Sequence, residues 1–386
     1  MTERCVPRGL LLGSLVLMAC AEGTSRVQPH VEDVAGVEIA VLPPLPDLLD
    51  ARYLWTFRPV RAIQTVRENG EPIVFDPRGI LELSDGRLLV HDPSADQVFA
   101  IFDSTGSSVL QRFGRSGQGP DEIGSWISFR ESRGRIAVLD PRNRQLHEFS
   151  PAGDAQESAP VRLSGGGGKS QPAPGPDGFL AELIQTDDQA WHRELVRTVK
   201  DGPPASLARL PEPSPQAEPG RIQQGRVIWS VVGEHIVAMW SARPRITVYD
   251  AHGTVVRQID LPLTRREITE RDIADQVAFH GGIARSLRPG PAALTNEVYT
   301  LGDSIFGLYT AELWKANEDP DLEIGRVWWR LFSVRGEYVG VVALPVDFWP
   351  LGPTARGVWG RVLNERGEPV IQELELVPAD GAGVPD

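Results

Sequence analysis

Short strand-like runs joined by tight turns recur along this chain at a spacing near fifty residues. Residues 76–113 contain four such runs, and the turn Ser84-Asp85-Gly86-Arg87 joins the first two. An Asp-Gly pair between apolar runs is a strong hairpin signal. Four short strands connected in this way predict one antiparallel meander.

The pattern returns several times. Asp92 ends the second run of the first copy, and Asp140 ends the matching run of the next copy, 48 residues later. Further copies begin near residues 176, 233, 302 and 357, and the copy near 176 is the most degenerate. A four-stranded unit repeated every 40–50 residues or so is typical of a β-propeller blade, which must stack on its neighbours to bury its faces. The chain is therefore predicted to be all-β, a six-bladed β-propeller over residues 51–378.

The two ends of the repeat region are expected to meet. The last copy runs out of chain after its third strand, near Val377, while Tyr53–Arg58 has strand composition and no partner of its own. Because open sheet edges are liabilities, we expect this N-terminal strand to close the last blade. A two-domain β-sandwich remains the alternative.

An insertion is expected at about 264–297, with a short helix over Ile268–Val277, where charged and apolar residues mix without Pro or Gly.

The N-terminus has the features of an export signal. Arg4 and Arg8 flank the start of a ten-residue apolar stretch, Gly9–Met18, which is too short for a permanent membrane span and typical of a secretory signal. The stretch ends in Leu17-Met18-Ala19-Cys20, which resembles a bacterial lipoprotein signal. The resemblance implies removal of residues 1–19, lipid attachment at Cys20 and, with Ala21 in place of Asp, an address at the outer membrane. A plain secretory signal with a chance cysteine is the alternative.

The segments flanking the repeat region are expected to be irregular. Residues 20–50 are interpreted as a tether and lead-in, because Ala21–Asp33 is polar and three prolines follow at positions 43, 44 and 46. Residues 379–386 are interpreted as a C-terminal tail.

The first two copies resemble a known repeat family. Asp76–Ile123 contains Pro-x-Gly-Ile, Asp-Gly-Arg, Val-x-Asp and Phe-Asp-x-x-Gly in order, which resembles an NHL-type repeat. The Gly-rich segment Phe113–Glu122 is similar to one in bacterial six-bladed propeller lipoproteins, although Pro120-Asp121-Glu122-Ile123 replaces their usual Pro-Gly-Glu-Phe. The resemblance implies a six-bladed propeller fold and a location in the cell envelope. It identifies hardly any binding or catalytic residues.

Composition narrows the function. With 39 basic and 52 acidic residues the net charge is −13, which argues against a nucleic-acid partner. The chain has no Gly-x-Ser-x-Gly elbow, and its seven histidines show no His-Glu-x-x-His spacing. We therefore expect a monomeric, non-enzymatic binding or scaffold module for a protein, peptide or glycan in the bacterial envelope, without a cofactor. The alternative is a metal-dependent hydrolase or lyase, lactonase-like, with Ca²⁺ or another divalent cation in the central channel.

A few residues are candidates for ligand or ion contacts. Asp92 and Asp140 each end a second strand before a proline, so they are expected on one face, at the channel mouth, where carboxylates could hold a hard cation or simply form Asx turns. Gly114–Gly119 could offer backbone N–H groups to an anion with help from Arg115, or could be only a connection between blades. Five of the ten tryptophans crowd the last two copies, either as a sugar- or peptide-binding face or as packing: Trp314, Trp328, Trp329, Trp349 and Trp359.

Overall fold

The computed structural model describes residues 25–379 except 47–49, 68–69, 120, 164–166, 176–177, 187–190, 200–202, 210–226, 264–266, 269, 271–289, 292–294, 311–327, 346–347 and 365–366. These residues are almost wholly β-strand and connecting turn, with one turn of 3₁₀ helix at Ala51–Tyr53. No helix in this part of the chain is long and apolar enough to cross a membrane. The expected signal segment with Cys20, and most of the expected helix Ile268–Val277, lie outside the described residues.

The strands are numbered in chain order. The N-terminal segment contributes β1 (His30–Val34), β2 (Val37–Val41) and β3 (Leu54–Ile63). The next sheet has β4 (Gly79–Glu82), β5 (Leu88–His91), β6 (Gln97–Phe102), β7 (Val109–Ser116) and a short β8 (Glu122–Ile123). Two four-stranded sheets follow: β9 (Ser128–Ser132), β10 (Arg135–Asp140), β11 (Gln145–Phe149), β12 (Ala155–Pro160), and β13 (Gly167–Pro172), β14 (Phe179–Thr186), β15 (Trp191–Thr198), β16 (Ala205–Arg209).

The second half of the chain continues in the same way. It contains β17 (Val227–Val232), β18 (His235–Trp240), β19 (Arg245–Tyr249) and β20 (Val255–Asp260), and then the short pair β21 (Glu267–Ile268) and β22 (Gly290–Pro291) inside the expected insertion. The last strands are β23 (Thr295–Leu301), β24 (Ile305–Thr310), β25 (Trp328–Ser333), β26 (Tyr338–Ala343), β27 (Trp349–Pro353), β28 (Gly357–Leu363) and β29 (Pro369–Pro378).

The predicted return of the N-terminal strand to the C-terminal sheet is confirmed. β3 pairs antiparallel with β29 along most of its length, with Phe57 opposite Leu376 and Arg58 opposite Glu375. Its other edge meets β26 in parallel over only two residue pairs, which joins two antiparallel four-stranded halves, β23–β26 and β27–β28–β29–β3, into one eight-stranded sheet. Cross-strand ion pairs reinforce β3, because Arg61 Nε lies 2.7 Å from Glu373 Oε2.

The apolar core lies between neighbouring sheets. One cluster joins Leu89 and Phe99 of the β4–β8 sheet to Ile136 and Phe149 of the β9–β12 sheet, and the other clusters repeat this arrangement along the chain. The C-terminal strands return to the start, because Trp359 and Ile371 pack with Leu88 and Phe102. The first strands of successive units also contact one another, including β27 with β4. The fold is therefore propeller-like, as each sheet buries its faces against the next.

The expected irregular lead-in over residues 20–50 differs from the structure. β1 and β2 form a hairpin through Ala35 and Gly36, which both have positive φ, and β2 adds to β20 in parallel. The alternating segment Val37–Val41 places Ala40 in a buried cluster with Ile259 and Tyr338. A strand forms here because it covers the outer edge of β20, which would otherwise be open. The three prolines follow the hairpin rather than break it.

Contacts on either side of the hairpin fasten the N-terminal segment to the β23–β26 half. Val27 exchanges backbone hydrogen bonds with Tyr338, and Arg26 Nη1 lies 2.8 Å from Glu337 Oε2. The segment therefore spans two sheets before it enters β3.

A substitution in β3 tests whether the N-terminal strand carries stability. Ile63 is fully buried among Trp359 and Ile371, whereas Val60 on the same strand is 55% exposed. Ile63→Ala is expected to lower the free energy of unfolding by about 2–5 kcal/mol through lost burial and a residual cavity. The matched variant Val60→Ala should change it by less than about 0.5 kcal/mol. Urea denaturation measures both, and equal effects would contradict the pairing of β3 as a core strand.

Candidate functional site

A cavity of about 760 Å³ opens at the face where the first strands of several units begin. It is lined from four of these units. Asp76 and Arg78 precede β4, Ser125 and Trp126 precede β9, Lys169 and Ser170 lie in β13, and Trp349 begins β27; His91, Pro93, Ser94 and Ile127 complete the wall. Its volume falls in the range usual for small-molecule pockets, about 300–1,000 Å³.

Two tryptophans at the cavity keep much of their surface in solvent. The side chain of Trp126 is 71% exposed and that of Trp349 is 43% exposed. Large aromatic side chains are normally well buried, and Trp229, Trp329 and Trp359 of this chain are. The exposed pair therefore forms an apolar rim at a cavity whose lining also includes charged and hydroxyl side chains.

The expected aromatic face in the last two copies is thus divided. Trp329 and Trp359 pack in the core, Trp349 lines the cavity, and Trp328 is only partly exposed. Trp314 lies outside the described residues. Trp126 was missed by the sequence analysis. The sequence feature that could have indicated its exposure is a single tryptophan in the polar connection that follows the Gly-rich segment.

An ion-pair cluster forms one wall. The carboxylate of Asp76 accepts from Arg78, with Nη2 2.7 Å from Oδ2, and from Arg361, with Nη1 2.9 Å from Oδ1. The guanidinium of Arg78 also lies 6.0 Å from the ring centroid of Trp349, within reach of a cation–π contact. Two cations thus share one carboxylate, which leaves this wall with a positive excess.

Lys169 of β13 supplies a further cation to the lining. Its Nζ donates to the backbone oxygen of Trp229 at 2.7 Å and lies 5.4 Å from the Trp229 ring centroid. Next to it, the hydroxyls of Ser128 and Ser170 hydrogen-bond at 2.8 Å between β9 and β13. These contacts hold the Lys169 chain in place at the cavity.

His91 contributes an uncharged surface to the lining. It is 2% exposed, its ring packs against Phe99 and Phe129, and its Nε2 has no hydrogen-bond partner among the described residues. Burial and, to a smaller extent, the positive charge of Arg78 together lower the pKa of His91 to about 3, against a smaller opposing effect of Asp76. The imidazole is therefore neutral at neutral pH.

Asp92 and Asp140 are both buried, and neither lines the cavity, although His91, Pro93 and Ser94 next to Asp92 do. The Asp92 carboxylate accepts from the backbone N–H groups of Phe75 at 2.7 Å, Asp76 at 3.1 Å and Ser94 at 3.1 Å. Each of these donors belongs to the turn after β5 or to the entry into β4. The side chain therefore ties the end of the second strand to the start of the first.

Asp140 repeats this role one sheet further on. Its carboxylate accepts from the N–H groups of Gly124 at 2.7 Å, Arg142 at 3.1 Å and Asn143 at 2.9 Å. The Asx-turn interpretation describes this geometry. The part of the chain that the structure describes contains no group of three or more His, Cys, Asp or Glu side chains placed to hold a metal ion.

The Gly-rich segment binds an anion that belongs to the chain itself. The carboxylate of Glu122 accepts from the N–H groups of Gln118 at 2.9 Å and Gly119 at 2.8 Å, and Arg115 Nε lies 3.1 Å from Glu122 Oε1. The bond from Gly119 lowers the pKa of Glu122, partial burial opposes this, and Arg115 adds to it. Gly117 is required here, because a Cβ at its φ of 153° would lie 1.9 Å from Glu122 Oε2. Arg115 is exposed and is not among the cavity-lining residues.

Comparison with known proteins concerns the fold. No protein-family model matches the chain, and no curated protein matches it in sequence. The structure is similar to that of a Bacteroides fragilis protein assigned as exported, at 10% identity, with 88% of this chain and 99% of that chain covered and a TM-score of 0.49. It is also similar to a DUF4221 family member from Bacteroides vulgatus, at 9% identity, 84% and 98% coverage and a TM-score of 0.49.

A third similar structure is that of an enzyme. The PQQ-bound form of aldose sugar dehydrogenase from Streptomyces coelicolor matches at 12% identity, with 84% of this chain and 98% of that chain covered and a TM-score of 0.44. Similarity at this level implies no shared ligand or activity.

Replacing His91 tests the environment of the cavity wall. Because the pKa of this histidine is about 3 when folded and about 6.5 when unfolded, the unfolded state binds more protons between these values. Stability attributable to His91 is complete above pH 6.5 and is lost as the pH falls towards 3. His91→Phe keeps an aromatic ring and removes this titration. When the pH is lowered from 7 to 5, the free energy of unfolding of the parent protein should fall by about 2 kcal/mol more than that of the variant. Urea denaturation across this range measures the difference, and parallel pH profiles would contradict it.

Proposed function

We propose that this chain is a six-bladed β-propeller of the bacterial cell envelope, anchored by lipid at Cys20, which binds a protein, peptide or glycan in the cavity described above. Each part of the proposal has separate support. The blade count is supported by topology, the ligand site by the cavity, and the anchor by the N-terminal sequence.

The topology favours six blades. When the two antiparallel halves of the eight-stranded sheet are counted separately, they join the sheets that begin with β4, β9, β13 and β17. The parallel pairing between the halves covers only Val341–Leu54 and Val342–Trp55, and this short contact supports counting the halves as two blades. Packing of β27 beside β4 supports a closed ring.

The exposed rim of Trp126 and Trp349 is the single observation that carries the binding function. Solvent-exposed indoles beside a concavity combine apolar contact area with an N–H donor, which is typical of ligand-binding surfaces. Asp76 is engaged by two arginines, and His91 is buried with its Nε2 covered, so neither is placed as a free base toward the cavity. A metal-dependent hydrolase or lyase would need about three convergent ligands, and the described residues gather no such group.

Truncating the tryptophan rim tests the binding function. The purified protein would be titrated by calorimetry against a panel of envelope glycans, peptides and protein domains. Trp126→Ala and Trp349→Ala should each weaken binding of the recognised compound at least about tenfold, or 1.4 kcal/mol, with unchanged melting temperature. Leu110→Ala removes a similarly exposed apolar side chain on β7 and should have no effect. A ligand indifferent to both tryptophans, or turnover of a lactone by the clean protein, would overturn the proposal.

The anchor is tested by cysteine substitution in bacteria. Cys20→Ser should abolish incorporation of labelled palmitate and move the protein from the membrane fraction to the soluble fraction, because lipid chains supply the membrane affinity. Cys5→Ser is the matched control, since Cys5 lies in the segment expected to be removed, and it should leave both properties intact. Palmitate labelling that persists in Cys20→Ser would exclude this attachment site.

A further inference from the structure

We infer that the cavity takes an acidic oligosaccharide, a short glycan that carries carboxylate groups on its sugar rings. This inference rests on the binding function proposed above and narrows its ligand class. Three properties of the lining support it: flat exposed indoles, free hydroxyl groups and an excess of positive charge.

The indoles suit sugar rings. A pyranose presents an apolar C–H face and a polar edge, and an exposed tryptophan offers a rigid apolar face together with one N–H donor. Trp126 lies in the connection between β8 and β9, and Trp349 begins β27, so they give two separate contact points at one cavity. A cavity of about 760 Å³ is large enough for a short oligosaccharide.

The hydroxyls suit the polar edges of such a ligand. Ser94 and Ser125 are exposed at the cavity, and their side chains have no hydrogen-bond partner among the described residues. A serine hydroxyl donates one hydrogen bond and accepts two, which matches the mixed donor and acceptor character of sugar hydroxyls. A lipid tail would gain nothing from these groups, and their desolvation would oppose its binding.

The charge selects an acid. Arg78, which lines the cavity, and Arg361, which lies behind it, share the single carboxylate of Asp76, so these three side chains carry one net positive charge. The buried carboxylates of Asp92 and Asp140 lie nearby but are directed at backbone N–H donors and do not line it. This positive excess occurs on a chain of net charge −13. A guanidinium such as Arg78 pairs well with a carboxylate, whereas a neutral glycan would leave the excess unused.

Matched pairs of probes test the class. Trimers of galacturonate, glucuronate, mannuronate and guluronate would be titrated by calorimetry beside their fully methyl-esterified forms, which keep the rings and lose the charge. At least one acid should bind at least about tenfold more tightly than its ester, and its affinity should fall as NaCl rises from 50 to 300 mM. Binding by none of the acids, or equal binding of acid and ester, overturns the inference.

Charge variants locate the effect. Arg78→Gln leaves Asp76 paired with Arg361 and should weaken the acid at least about tenfold while changing ester binding little. Arg356→Gln removes an exposed guanidinium from the turn between β27 and β28, and it should leave acid binding unchanged. Equal losses in both variants would mean that net charge rather than this site attracts the acid, which rejects the inference.

The outcome also separates the two proposals. A neutral glycan or a peptide whose binding depends on Trp126 would reject the acidic glycan and retain the binding function. Failure of every glycan, peptide and protein domain to bind in a Trp126-dependent way would reject both.

Discussion

The antiparallel pairing of β3 with β29 joins the strand that precedes the repeated sheets to the last strand of the described chain, and the remaining architecture depends on that pairing. A sheet of this kind has two faces to bury, and here each face is covered by the neighbouring sheet. Without β3 the C-terminal strands would end in an open edge, and Ile63 would be missing from the cluster that packs Trp359 against the first sheet. The N-terminal strand is therefore the outer strand of the last unit, and it also contributes to the apolar cluster between the last unit and the first.

The aspartates at the ends of β5 and β10 stabilise the fold and also position the residues around the cavity. Asp92 and Asp140 each connect the end of one strand to the entry of its neighbour through backbone N–H groups. The cavity lies among the residues that these carboxylates hold, because Asp76 and Ser94 flank the first and Ser125 follows the Gly124 bound by the second. The carboxylates thus fix the backbone next to the cavity-lining residues, and they can do so without contacting a ligand.

Much of the fold was predictable from the chain because hairpin turns and alternating apolar runs are local signals. The Asp-Gly turn at residues 85–86 and the repeat from Asp92 to Asp140 are visible without knowledge of the partner strands, and Tyr53–Arg58 could be matched to an incomplete last copy. The β1–β2 hairpin was not predicted, since its value depends on the open edge of β20, which is distant in sequence. The role of Trp126 was missed for the same reason: exposure beside Arg78 and Trp349 is a property of assembled sheets. For the Gly-rich segment the sequence left two interpretations open, an anion site or a connection between blades, and its backbone N–H groups bind the chain's own Glu122.

The fastening of the N-terminal segment has a consequence for how far the molecule can stand from a bilayer. If Cys20 carries the lipid, the ion pair of Arg26 with Glu337, which is the first side-chain contact in the part of the chain that the structure describes, follows only a few residues later. At about 3.5 Å per extended residue, this allows a gap of roughly 20 Å. A lipid at Cys20 would therefore keep the part of the molecule that contains Arg26 and Glu337 within that distance of the bilayer surface.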